Sequence, residues 1–204
     1  MSSKPYAPAC ERNREPIYAV LSQLFADKSS ILEIGSGTGQ HAVYFAERMP
    51  HLHWQCSDLE ENQGGIRQWL DEARLPNTPP PVVLDVQQDD WPVLQVDGVF
   101  SANAVHIMPW EAVIAMIGGV GRVLQEDGLL VLYGPFNYQG KYSSDSNARF
   151  DEWLKQQSPH SAIRDFEAVN ELAMEAGLEI CDDLAMPANN RIIYWKKVST
   201  EGLT

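Results

Sequence analysis

Apolar residues recur along the chain in two alternating patterns. Stretches with an apolar residue at every third or fourth position predict amphipathic helices, and short continuous apolar runs predict buried strands. The helical stretches are residues 16–26, 40–49, 66–73, 113–124 and 165–176, and the apolar runs are residues 30–34, 52–57, 82–84, 96–101 and 129–133. Two further strands, residues 179–185 and 191–197, lie close together after the last helix and could pair antiparallel.

Proline and glycine indicate where some of these helices begin and end. Pro16 is expected in the first turn of the first helix, where the missing proline N–H costs nothing. Gly128 is expected to end the helix over residues 113–124, since glycine is common just after a helix.

The alternation of strands and helices predicts an α/β fold with a mostly parallel sheet and helices on both faces. The uninterrupted apolar run over residues 129–132 agrees, because strands covered on both faces need not alternate apolar and polar residues. No repeat and no long linker divides the sequence, so we expect one domain over residues 1–204. In such folds ligands bind at the carboxyl ends of the strands.

Composition narrows the class of partner. Hydrophobic residues make up 44% of the 204 positions and charged residues 21%, which is typical of a globular protein. The net charge of −13 disfavours a nucleic-acid interface, since phosphate backbones are repelled by an anionic surface. No leader and no membrane-spanning stretch is apparent, and Cys10, Cys56 and Cys181 are too widely spaced for a zinc site or a disulfide framework. We therefore expect a cytoplasmic protein with a small-molecule substrate, no metal and no membrane or nucleic-acid partner, and the oligomeric state stays open.

A glycine-rich segment joins the first predicted strand to the helix over residues 40–49. Its sequence is E-x-G-x-G-x-G, and we expect it to bind a cofactor through Glu33, Gly35, Ser36, Gly37 and Gly39. A dinucleotide-binding loop would have a third glycine at position 40, which is Gln40. A phosphate-binding G-x-x-x-x-G-K-[ST] loop is also absent. The alternative is a glycine turn without a ligand.

Two acids follow the next two strands. Asp58 comes 19 positions after Gly39 and could accept hydrogen bonds from both hydroxyls of a ribose. Asp85 ends the third strand and could accept a hydrogen bond from an exocyclic adenine amine. Their neighbours Leu59 and Val86 are expected in the same site. The alternatives are a solvated loop acid at Asp58 and a turn cap at Asp85.

Together these motifs resemble those of class I S-adenosyl-L-methionine (SAM)-dependent methyltransferases. The chain is also similar to an uncharacterised family that includes methyltransferase-like protein 26 of animals. That second likeness is carried by Arg12-Asn13 with Pro16, residues 36–41, Ser57-Asp58, Gly134-Pro135, Ser146-Asn147 with Phe150-Asp151, and residues 187–190. The resemblance implies a Rossmann-like fold with a seven-stranded sheet, an antiparallel last strand and SAM as cofactor. It leaves the methyl acceptor open.

Candidate acceptor residues come from segments near the strand ends. Asn103 and His106 follow the fourth strand, and His106 could act as a base, although a structural hydrogen bond is an alternative. Arg12 could bind an anionic group on the acceptor or form a surface ion pair. The remaining candidates for substrate binding are Asn13, Tyr138, Ser146 and Asn147; the last two lie in a polar run that is either a lid or a helix cap.

Three classes of function remain. The first is a methyltransferase with a small polar acceptor, or with a protein acceptor. The second is a module that binds SAM or S-adenosylhomocysteine (SAH) without turnover. An NAD-dependent oxidoreductase is the third, and Gln40 argues against it. In the enzyme, we expect Arg12, Asn103 and His106 to act on the acceptor beneath an N-terminal helical segment formed by residues 1–26.

Overall fold

The computed structural model describes residues 4–198. Its helices are α1 (Pro8–Leu24), α2 (Gln40–Arg48), α3 (Gln63–Ala73), α4 (Trp110–Val123), α5 (Asp145–Gln157) and α6 (Phe166–Glu175). Its strands are β1 (Ser30–Ile34), β2 (His53–Asp58), β3 (Val82–Val83), β4 (Val96–Ala102), β5 (Leu124–Gly134), β6 (Phe136–Asn137), β7 (Arg164–Asp165), β8 (Leu178–Met186) and β9 (Asn190–Lys197). The predicted domain over residues 1–204 and its segment over residues 1–26 extend beyond the described residues.

Seven strands form one sheet in the order β3-β2-β1-β4-β5-β9-β8. The first five pair in parallel, and β9 lies antiparallel between β5 and β8. A short parallel pair, β6 with β7, stands apart. The predicted Rossmann-like architecture, with its mostly parallel sheet and antiparallel last strand, is confirmed.

Two apolar clusters cover the two faces of the sheet. Leu32 and Ile34 belong to the cluster packed under α4 and α6, whereas Ile31 belongs to the cluster under α1, α2 and α3. Neighbouring residues of a strand point to opposite faces, so a strand buried on both sides is apolar at every position. This burial explains the continuous apolar run over residues 129–132 of β5 and the apolar Ile31, Leu32 and Ile34 of β1, in which the buried Glu33 is an exception.

Two predicted helix boundaries are wrong. Helix α1 begins at Pro8, so that Pro16 lies inside the helix and removes its hydrogen bond to the carbonyl of Arg12. Helix α4 ends at Val123, and Gly128 lies instead in an irregular part of β5, between residues that pair with Val96 and Gly98.

Helix α5 was not among the predicted helices. Its buried residues are Asn147, Asp151 and Leu154, so its inner face is largely polar and lacks the apolar repeat. Ser144 caps its first turn by accepting a hydrogen bond from the Asn147 N–H at 3.1 Å. The helix-cap interpretation of the polar run is therefore the one that the structure shows.

No helix within residues 4–198 combines the length and the apolar character needed to cross a bilayer. Cys10, Cys56 and Cys181 are free thiols.

Candidate functional site

A cavity of about 990 Å³ opens at the carboxyl ends of β1, β2 and β4. Strand β1 lies between β2 and β4, so the chain leaves β1 toward one side of the sheet and later returns on the other. Ligands of open α/β sheets bind at such a switch point. The cavity volume is at the upper end of the roughly 300–1,000 Å³ typical of cofactor and small-molecule sites.

The glycine loop forms one wall of the cavity. Gly35, Gly37 and Gly39 have φ angles of 73°, 58° and 88°, which side chains rarely adopt. A β-carbon at Gly35 would come within 3.1 Å of Ala104, whereas one at Gly37 would meet nothing within 4 Å. Gly37 therefore exposes its backbone to open cavity space, as a loop that cradles a ligand must.

Glu33 lies beneath this loop and is only 2% exposed. Its Oε2 atom accepts hydrogen bonds from Trp54 Nε1 at 3.1 Å and from the Ser36 hydroxyl at 3.0 Å. Burial raises the pKa of Glu33 to about 7 against the effect of these donors. Glu33 does not line the cavity, so the structure places it as a support of the loop, and its predicted cofactor contact stays a prediction.

Asp58 lines the cavity and is bonded to the glycine loop. Its Oδ2 atom accepts the Gly37 N–H at 2.7 Å, and its Oδ1 atom accepts the Leu59 N–H and the Asn62 amide, both at 2.8 Å. These bonds hold the carboxylate at the cavity wall. Oδ1 already accepts two hydrogen bonds, so the capacity left for a ligand hydroxyl is on Oδ2. Leu59 also lines the cavity.

Asp85 and Val86 line the cavity beyond β3. The Asp85 carboxylate accepts the Gln87 N–H at 3.0 Å and the Gln88 amide at 3.3 Å. The turn-cap interpretation thus describes a contact that is present. It does not compete with the predicted adenine contact, because a carboxylate can accept about four hydrogen bonds.

Of the residues predicted to contact the methyl acceptor, Asn103 is the one that lines the cavity. It has a φ of 60° at the end of β4, and its N–H donates to the Tyr133 carbonyl at 2.8 Å. A β-carbon at Gly134 would lie 3.6 Å from Asn103 Oδ1 and 3.4 Å from His106 Nδ1. A small gap beside Gly134 therefore has these two polar atoms on its walls.

His106 is 5% exposed and does not line the main cavity. Its ring stands edge-on to Phe150 at 5.4 Å. Burial, and then the positive charge of Arg164, lower the pKa of His106 to about 4, so that the imidazole is neutral at pH 7. A neutral imidazole can accept a proton, which keeps the predicted role as a base open.

The other acceptor candidates lie away from the cavity. Arg12 is exposed on α1. Asn13 is buried and bonds His41 Nε2 at 2.7 Å, and it is His41 that lines the cavity. The Tyr138 hydroxyl donates to Asp183 at 2.6 Å. Neither a cavity contact by Arg12 nor one by Tyr138 is present.

Ser146 and Asn147 contact the turn before β9. The Asn147 amide donates to the Asn189 carbonyl at 3.1 Å, and the Asn189 amide donates to the Ser146 hydroxyl at 3.0 Å. These bonds pack the start of α5 against residues 187–190. Ser146 and Asn147 do not line the cavity, and their predicted contact with the acceptor stays a prediction.

Several cavity residues were not foreseen. The N-terminal segment contributes Pro5, Ala7, Ala9 and Cys10. The start of α3 contributes Gly64 and Gly65, and the loop before α4 contributes Ala104 and Met108. The Gly64-Gly65 pair was a usable indication, because glycine weakens a helix unless something approaches the backbone closely. The other unforeseen cavity residues follow no sequence pattern that would have indicated a ligand site.

The charged groups of the cavity are acidic. Asp58, Glu61 and Asp85 contribute carboxylates, and none of the lining residues described is lysine or arginine. His41 is neutral at pH 7, since burial, followed by the charge of Arg14, lowers its pKa to about 4. The site can therefore accept hydrogen bonds from hydroxyl and amine groups and tolerates positive charge.

Comparison with known proteins agrees with this geometry. A family model described as "Protein of unknown function (DUF938)" matches residues 4–197. An O-methyltransferase family protein from Burkholderia thailandensis superposes with a TM-score of 0.82 at 17% identity, covering 94% of this chain and 58% of the other. The structure of PigF with SAH superposes with a TM-score of 0.77 at 16% identity, covering 92% of this chain and 56% of PigF.

An O-methyltransferase family 2 protein from Planctomyces limnophilus, in complex with apigenin, has a TM-score of 0.73 at 13% identity, with 91% and 62% covered. The chain thus spans 56–62% of the length of these three structures. At such low identity the likeness establishes the fold, which is that of Rossmann-like methyltransferases.

Proposed function

The chain belongs to the DUF938 family, whose description names no activity, and we propose that it is a SAM-dependent methyltransferase with a small-molecule acceptor. The observation that carries the proposal is the E-x-G-x-G-x-G loop, whose three glycines all have positive φ at the switch point of the sheet. The resemblance to the family of methyltransferase-like protein 26 stays a prediction.

The cavity fits the parts of SAM. Asp58 and Asp85 line it at the ends of successive strands, where we assign them to the ribose hydroxyls and the adenine amine. Gly35 and Gly37 line it, and Gly37 leaves its backbone open to the methionine part, whereas Gly39 packs against Ile66. The acidic lining accommodates the sulfonium charge. That PigF was solved with SAH on the same fold supports this assignment.

When bound, SAM supplies an activated methyl group, and the protein's part is to hold the acceptor in line with it. Positioning of this kind can supply much of the rate of a displacement reaction. We assign the acceptor atom to the gap beside Gly134, where Asn103 Oδ1 can orient it and His106 Nδ1 can take its proton. Binding of apigenin by a structure of the same fold supports a small-molecule acceptor.

Arg12 has no part in this proposal, since it does not reach the cavity. An acceptor with an anionic group would meet the carboxylates of Asp58, Glu61 and Asp85 without a compensating cation among the described lining residues. We therefore propose an acceptor without a negative charge and with a hydroxyl or amine as its reacting group.

Calorimetry tests the cofactor. We expect the protein to bind SAM and SAH and to give no heat with NAD, because the loop lacks the third glycine of a dinucleotide-binding motif. Binding of NAD without a response to SAM or SAH would refute the proposal.

Turnover separates an enzyme from a binding module. Incubation with SAM carrying a labelled methyl group and a metabolite extract is expected to give a labelled small molecule. Binding of SAH together with no labelled product, from this extract or from a panel of phenols and amines, would favour the non-catalytic alternative. Label in protein bands would favour a protein acceptor.

With an acceptor in hand, His106→Gln tests the base. General-base catalysis typically contributes about 10²–10⁴-fold, so we expect kcat to fall at least about 100-fold. The affinity for SAH is expected to stay unchanged, since His106 does not line the cofactor cavity. Because the pKa of His106 is about 4, the wild-type rate should decline only below pH 5. A kcat within twofold of wild type would rule out His106.

A further inference from the structure

A short irregular segment, Lys4–Ala7, precedes α1 and reaches across the cavity. We call it the N-terminal strap. Pro5 and Ala7 both line the cavity. Pro5 is bonded to α3, and Ala7 is bonded to the start of α2. The strap therefore bridges the two helices that follow the glycine loop and Asp58, the two elements assigned to the cofactor.

The strap is held to α3 by contacts that depend on particular residues. Trp69 Nε1 donates to the Pro5 carbonyl at 2.7 Å. A β-carbon at Gly65 would come within 2.7 Å of Pro5 Cγ, so the proline ring occupies the space that a side chain would need. Lys4 Nζ lies 3.6 Å above the centre of the Trp69 ring and 2.7 Å from Glu72.

At its other end the strap is held to the glycine loop. The Ala7 N–H donates to Gln40 Oε1 at 2.6 Å, and the same oxygen accepts the Thr38 hydroxyl at 3.0 Å. Gln40 is 6% exposed, so its amide is fixed in place. The position at which a dinucleotide-binding loop would have its third glycine thus supplies an anchor for the strap.

The strap is held far less firmly than the helix that follows it. Ile17 and Leu21 of α1 are completely buried. Tyr6 in the strap is 57% exposed, and the strap is held by two hydrogen bonds, a surface ion pair, the stacking of Lys4 on Trp69 and the packing of Pro5 on Gly65. Segments with few buried apolar contacts open locally while the core stays folded.

We propose that the N-terminal strap is a movable wall of the cofactor cavity and that it detaches from Trp69, Gly65 and Gln40 when the cofactor enters or leaves. This inference rests on the proposed function. The closed strap limits the access of water to the reacting groups, and its opening sets the rate at which SAH is released.

Two neighbouring glycines provide a matched test. Gly65→Ala would push Pro5 away, whereas Gly64→Ala meets nothing within 4 Å. Both lie in the first turn of α3, so the effect of alanine on the helix is common to both. We expect SAH to dissociate about tenfold faster from Gly65→Ala in stopped-flow measurements, which corresponds to the loss of one or two contacts. Gly64→Ala also places a methyl group at the cavity wall but does not displace Pro5, so its effect on SAH release should be smaller than that of Gly65→Ala.

Trp69→Phe provides a test outside the cavity, because Trp69 is not a lining residue. The variant loses the N–H that holds Pro5 and keeps an aromatic ring beneath Lys4. Faster release of SAH is expected from it too, by about three- to tenfold, a typical cost of one hydrogen bond. In wild type, bound SAH should slow hydrogen exchange at the Ala7 amide.

The outcomes separate the two proposals. Wild-type protein that does not bind SAM or SAH refutes the proposed function and the strap's role with it. Wild-type protein that binds SAH, while Trp69→Phe releases it at the wild-type rate and Ala7 exchange is unaffected, refutes the strap alone. If Gly65→Ala does not fold, or if Gly64→Ala touches the ligand, the strap is still tested by SAH release from Trp69→Phe and by hydrogen exchange at the Ala7 amide.

Discussion

Replacing Asp58 with alanine is expected to weaken binding of SAH by about 2–4 kcal/mol, because hydrogen bonds to a charged group contribute roughly 1.5–3 kcal/mol each and are not additive. The loss has two sources. Asp58 is assigned to the ribose hydroxyls, and it also holds the Gly37 N–H at 2.7 Å. Calorimetric titration of the variant with SAH gives the change directly.

Glu61→Gln is the matched control for this measurement. Glu61 also lines the cavity, but it lies exposed, and its carboxylate accepts no hydrogen bond from another residue within residues 4–198. The Glu61→Gln substitution should change the affinity for SAH by less than about 1 kcal/mol, as is usual for an exposed charge. An Asp58→Ala variant that folds and binds SAH as tightly as wild type would show that Asp58 only supports the loop.

Glu33→Gln is expected to change the pH dependence of stability more than any other single substitution that we consider. Burial raises the pKa of Glu33 from 4.5 to about 7. A raised carboxyl pKa stabilises the folded state fully below pH 4.5, and this stabilisation is lost as pH rises through 7. The wild type should therefore lose about 3 kcal/mol relative to Glu33→Gln between pH 4.5 and pH 7.5, at about 1.4 kcal/mol per pKa unit.

Urea unfolding of both proteins across this range provides the measurement. His41 and His106, whose pKa values are lowered to about 4, destabilise both proteins as pH falls from 6.5, and they cancel in the difference. Glutamine keeps an oxygen that can accept from Trp54 and Ser36, so the hydrogen bonds at the loop are retained. A difference in stability that does not vary with pH would contradict a raised pKa at Glu33.

The centre of the sheet could be predicted from the sequence because strands such as β1 and β4 are buried on both faces. The run over residues 30–34 coincides with β1, and the antiparallel pairing of β8 with β9 was foreseen from their closeness. Helix α5 could not be recognised, since Asn147 and Asp151 are buried through hydrogen bonds and no apolar repeat marks them. Periodicity detects burial only where the buried residues are apolar.

In the candidate site, too, some residues could be located from the sequence and others could not. Asp58 and Asp85 could be located from the sequence because each follows a parallel strand, and parallel strands end at one edge of the sheet. Arg12 and Asn13 could not be placed, because the predicted helix began at Pro16. In the structure α1 begins at Pro8, which turns Asn13 inward to His41 and leaves Arg12 exposed.

The position of β9 has a consequence for how the chain folds during synthesis. Strand β9 is the last strand among the described residues, yet it lies between β5 and β8 and pairs with both. Until residues 190–197 emerge, the edge of β5 and the edge of β8 that will face β9 present unpaired backbone groups, which can pair with other chains. A growing chain is therefore open to edge-to-edge association until its last strand inserts, and any truncation before Asn190 would make that state permanent.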